Sequence, residues 1–134
     1  MVYGRGALRE VRVRLDGGRR GVYPAPMWVY LNNAFLSIVA HRTKPEYLLV
    51  RARLSGDIER VFPGASISES AHNDYRFRTE IKRAEAGRVL GAAVAGLRYD
   101  NFKHSVAEPD RHDAYVKAWE AMANLQRRRH PDPK

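Results

Sequence analysis

Tyr75-Arg-Phe-Arg-Thr-Glu-Ile-Lys82, running directly into Arg83-Ala-Glu-Ala-Gly-Arg-Val-Leu-Gly-Ala-Ala-Val-Ala-Gly-Leu97, decides the fold. The first half sets Tyr75, Phe77 and Ile81 among charged residues, the pattern of a strand with one face buried. The second half places Ala86, Leu90, Ala93, Val94 and Leu97 on one side of a helix. Its small residues Gly87, Gly91, Ala92 and Ala95 predict a close approach to a sheet, with the glycines costing intrinsic helix stability. Tyr99-Asp-Asn-Phe-Lys-His-Ser-Val106 follows as a loop crowded with aromatic and polar groups. Asn101, Lys103 and His104 are its candidate binding residues. In the alternative reading Tyr99 and Phe102 bury against the last helix, Asn101 bonds backbone as a turn residue does, and Lys103 and His104 project outward.

Upstream, Met27 to Leu31 and Ala34 to Arg42 read as strands around Asn32-Asn33, a pair that tolerates the positive φ of a tight hairpin. Tyr47 to Arg53 is a third strand. Ser55 is placed to cap a short helix over Gly56 to Phe62, with Asp57 and Glu59 favouring the dipole in its first turn. Ala65 to Ser70 is a weak strand. Downstream, Arg111 to Arg127 has the apolar stripe Tyr115, Ala118, Trp119, Met122 and Leu125 of an amphipathic helix. The order β-β-β-α-β-β-α-α predicts an α+β domain: an antiparallel sheet of about five strands with helices packed mainly on one face.

A chain of 134 residues, 44% hydrophobic and 29% charged, is one globular domain in composition. Without cysteine it has neither disulfides nor thiolate metal sites. The longest apolar run, Ala34 to Ala40, is far short of the roughly 20 residues of a membrane span. No secretory leader opens the chain, and a cytoplasmic location is the default expectation. The net charge is +9, of which residues 1 to 26 carry +4 and residues 127 to 134 carry +3. The body from 27 to 126 is left near neutral, which weakens a dedicated nucleic-acid role for it. Residues 1 to 26 therefore read as a basic extension, disordered or loosely attached, with Val11 to Leu15 as an added edge strand in the alternative. Met27 as the natural start is a further expectation. Residues 127 to 134 read as a basic tail.

At Met27-Trp28, Phe35-Leu-Ser-Ile-Val39, Asp74-Tyr-Arg-Phe-Arg78 and Tyr99-Asp-Asn-Phe-Lys103 the chain resembles a group of short uncharacterised bacterial proteins. These typically begin near the equivalent of Met27, and the resemblance covers about residues 27 to 126. It implies a small bacterial cytosolic protein, and carries neither an activity nor a site residue onto this chain.

Side-chain alternation supplies the second candidate site. With Leu48, Val50 and Ala52 turned to the helices, Tyr47, Leu49, Arg51 and Arg53 face the other way. With Tyr75, Phe77 and Ile81 turned to the core, Arg76, Arg78, Glu80 and Lys82 join them. Tyr47, Arg51, Arg53, Arg76 and Arg78 on an open sheet are able to follow a phosphate backbone and stack a base. The competing reading is a solvated face whose arginines pair with Glu69 and Glu80. No His-x-x-x-His pair marks a metal site, and no Gly-x-Ser-x-Gly elbow marks a nucleophile. A hydrolase or metal enzyme needs His72 or His104 to converge with Asp74 or Asp100. The expectation is a non-enzymatic interaction domain without cofactors, binding another protein or itself; a nucleic-acid-binding accessory protein is the alternative.

Overall fold

The computed structural model describes residues 26–133. The expected N-terminal extension lies almost wholly outside them. Five strands form one antiparallel sheet in the order β1-β2-β3-β5-β4, with β1 Met27–Leu31, β2 Ala34–Ala40, β3 Tyr47–Ala52, β4 Ser68–Glu69 and β5 Phe77–Lys82. The helices are α1 Asp57–Val61, α2 Arg83–Ala95, α3 Phe102–Ser105 and α4 Pro109–Arg129. This is the α+β architecture read from the sequence, with α3 added. The short helix forms inside the octet expected to be a loop, because the Asn101 side chain caps it by accepting from the His104 amide at 3.3 Å.

Burial follows register. Ile38 lies opposite Val50, Val50 opposite Thr79, Leu48 opposite Ile81 and Ala52 opposite Phe77, so these share the face that the core covers. Leu36, Ile38, Val50 and Ala52 pack there with Ile58 and Phe62, and with Ile81 and Ala86. Helices α1 and α2 both lie over that face. Helix α1 meets β2, β3 and β5, while α2 meets β5 and β3.

Three local expectations are corrected. The turn at Asn32-Asn33 forms without positive φ, since among the described residues only Gly56 has one. Gly56, at φ 90°, occupies the N-cap of α1 in place of Ser55, so that helix starts through a left-handed glycine without a side-chain cap. Gly87 and Gly91 face open space and bring α2 no closer to the sheet. Ala86 is the only residue of α2 that is buried; Val89 and Leu90 are half-buried, and everything from Gly91 to Ala95 is exposed.

Helix α4 is held at its beginning. Arg111 and Tyr115 are its buried residues. Two nitrogens of Arg111 donate to the two oxygens of Asp57, at 2.6 and 3.0 Å, in the planar fork that guanidinium and carboxylate geometry favours. Asp57 also accepts from the Phe35 amide at 3.0 Å and from Arg60 at 2.8 Å, so both oxygens are satisfied although the residue is buried. The Tyr115 hydroxyl donates to the Ala34 carbonyl at 3.0 Å. Aromatic contacts connect the same region: Trp28 and Tyr30 with Phe35, Tyr30 with Tyr115, Tyr115 with Phe102, and Phe102 with Tyr99. Beyond Tyr115 the stripe is open, with Trp119 52% and Met122 64% exposed. Arg127, Arg128 and Arg129, read as the start of a tail, form the last turn of α4.

Candidate functional site

The sheet candidates divide into a cluster and two outliers. Arg51, on β3, lies directly opposite Arg78 on β5, and the two face away from the core. The guanidinium carbons of Arg51 and Arg53 stand 4.5 and 4.2 Å from the centroid of the Tyr75 ring, and Arg78 Nε donates to the Tyr75 carbonyl at 3.4 Å. Tyr75 is therefore buried beneath the arginines and is absent from the core cluster where alternation put it. The cause is local: β5 begins only at Phe77, and the turn closed by Ser70 N–H to the Arg76 carbonyl precedes it, so strand alternation does not reach back to Tyr75.

Arg76 stands apart, with Nε 2.8 Å from Glu69 at the β4 edge. Tyr47 lies at the far end of β3, with the Lys44 ammonium 5.3 Å from its ring centroid. Glu80 pairs with Lys44 and His41, both at 2.8 Å, and not with an arginine. The hydrogen bond from Lys44, then that from His41, holds the Glu80 carboxyl below its ordinary value, and the same bond raises the Lys44 ammonium. A depressed carboxyl favours the fold above its unfolded range, and this contribution disappears as pH falls through the folded value. The side-chain carbon shift of Glu80 should therefore titrate below the ordinary 4.5, and Lys44→Met should move the midpoint upward. An unmoved midpoint would show that Lys44 is not the cause.

The loop candidates form a separate group. Asn101 is the α3 cap, His104 is exposed, and Lys103 does not project freely: its ammonium lies 4.0 Å from the Trp119 ring centroid. His72, Asp74, Asp100 and His104 are all exposed, and no hydrogen bond or ion pair among the described residues joins either histidine to either aspartate. Asp74 instead pairs with Arg53 at 3.2 Å. Among the described residues no group of three or more His, Asp or Glu side chains is arranged to hold a metal ion, and no helix is long and apolar enough to cross a membrane.

Two surfaces thus remain, one basic and one apolar. The basic surface is the Arg51, Arg53 and Arg78 cluster; α4 reaches that face of the sheet only at its edge, where Tyr115 meets the Tyr30 ring, and none of its hydrogen bonds or ion pairs among the described residues involves those arginines. The apolar surface is the α4 stripe; at the end of α2, Val94 and Leu97 are also exposed, at 69% and 50%. Trp28, 62% exposed on β1, lies on the face of the arginines with Ser37 of β2 between them, and was not among the residues selected from the sequence. Its strand parity with Tyr30, opposite to Val29, is the signal that places it there. Comparison with protein-family models, with curated proteins and with solved structures found no match.

Proposed function

We propose that this chain is a small non-enzymatic protein-binding domain, and that α4 is the element it presents to its partner. The observation that supports this reading is the exposed stripe beyond Tyr115. Trp119 and Met122 are three apart with Ala118 and Leu125 beside them, the spacing at which a helix offers anchors to another surface. Trp and Met are also the side chains enriched where interfaces are driest. Left in water, contiguous apolar surface of this kind favours association.

A second copy is the simplest occupant, because a stripe of this kind is able to meet its own equivalent across a two-fold axis. The mass measured by sedimentation equilibrium should rise above 15.3 kDa with increasing concentration, and Met122→Glu should return it to the monomer by forcing a carboxylate into the contact. A monomer mass throughout would eliminate self-association. The reading would then be lost unless a photoreactive group at Met122 captures a protein that the same group at Lys117, on a different side of α4, does not.

A further inference from the structure

One line of side chains crosses the whole sheet on the face away from the core. Trp28 lies opposite Ser37, Ser37 opposite Arg51, Arg51 opposite Arg78, and Arg78 opposite Ser68. Directly opposed residues share a face, and strands lie about 4.8 Å apart, so Trp28 and the two arginines occupy a row roughly 14 Å long. Arg51 donates to the Ser37 hydroxyl at 2.7 Å, which fixes its guanidinium in the row.

The charges in this row are not balanced. Every carboxylate nearby already has a cation: Asp74 has Arg53, Glu69 has Arg76, and Glu80 has Lys44. Among the described residues neither Arg51 nor Arg78 forms an ion pair. Arg51 Nε is moreover buried without a hydrogen-bond partner. Like charges directly opposite one another on a sheet repel. An oxyanion between them would remove that repulsion, and phosphate suits the guanidinium fork. Trp28, exposed at the end of the same row, offers an aromatic face to a base.

We propose that this row binds single-stranded nucleic acid, with a phosphate between Arg51 and Arg78 and an unpaired base on Trp28. A single strand suits it better than a duplex, because stacking on Trp28 requires a base released from pairing. It also suits the row better than a lone nucleotide, since Arg53, Lys82 and Tyr47 extend the basic and aromatic surface along the same face. None of these residues belongs to α4.

The test is fluorescence anisotropy of a labelled ten-residue oligothymidylate with the full chain, at salt concentrations from about 50 to about 200 mM. Arg51→Gln and Arg78→Gln should each weaken binding about fivefold and flatten the log–log salt slope by about 0.7 for each lost phosphate contact. Trp28→Ala should weaken binding about tenfold and leave the slope unchanged, since it removes stacking and no charge. Because Trp28 is 62% exposed, that variant keeps the fold and remains decisive even if the arginine variants do not. Wild-type affinity in all three variants would assign binding to the basic ends and overturn the proposal. So would equal affinity for a duplex of the same length, equal affinity for thymidine monophosphate, or no binding at all.

Discussion

Arg111→Ala should lower stability by about 3 kcal/mol, the low end of the range for removing one partner of a buried ion pair. Both side chains are almost fully enclosed, Arg111 at 2% exposure and Asp57 at 1%. Without Arg111 the Asp57 carboxylate stays inside the protein with one cation, Arg60, and the Phe35 amide. These remaining bonds are the reason for the low end. Hydrogen bonding to Asp57 holds the Arg111 guanidinium above its usual range, so it remains charged at any pH the fold survives. Urea unfolding should show a lower midpoint with an unchanged slope. A loss below about 1 kcal/mol would mean that Arg60 alone satisfies the carboxylate. Replacing both partners, Asp57→Leu with Arg111→Met, should recover part of the loss, because no buried charge is then left without its partner.

Ile58→Ala should cost about 2 to 5 kcal/mol, the range for truncating a fully enclosed aliphatic side chain. Ile58 is 0% exposed and packs among the core residues of β2, β3 and β5. Its effect should exceed the lost packing. Helix α1 has five residues, too few to be helical without tertiary support. Ile58 supplies that support and so positions its neighbour Asp57 for Arg111. The two substitutions should therefore be non-additive: in the Ile58→Ala background, Arg111→Ala should cost at least about 0.5 kcal/mol less than in the wild type. Simple additivity would show that Asp57 is positioned by the Phe35 amide and Arg60 without help from Ile58.

The sheet was legible because its signals are local. Alternation assigned Tyr47 to Ala52 and, in the second strand, Phe77, Arg78, Glu80, Ile81 and Lys82 to their faces, and the antiparallel register agrees for each of them. Alternation failed only at Tyr75, where the chain is still turning. The anchor of α4 was not legible, because Asp57 and Arg111 are 54 positions apart and no periodicity connects them. Asp57 read simply as a carboxylate suited to a helix dipole. One clue was available: Arg111 precedes Tyr115 by four residues, and so sits on the apolar stripe, where a charge needs a buried partner. The stripe itself was read correctly as a helical face, but spacing alone cannot distinguish a face covered by its own domain from one left open. Tyr115 is covered and Trp119 is not.

Fastening α4 through Arg111 and Tyr115 also sets a gradient of local opening along it. The 14 residues from Val116 to Arg129 continue past the last buried residue; apart from the Lys103 ammonium on the Trp119 ring, helix propensity and same-helix side-chain contacts are their main support. A segment of that length is marginal in water. Amide hydrogens near Tyr115 should exchange with solvent only through unfolding of the whole domain, whereas those towards Gln126 should exchange through fraying. A partner seated on Trp119 and Met122 would therefore complete the helix as it binds. Slowed exchange along the second half of α4 would trace the extent of the contact residue by residue.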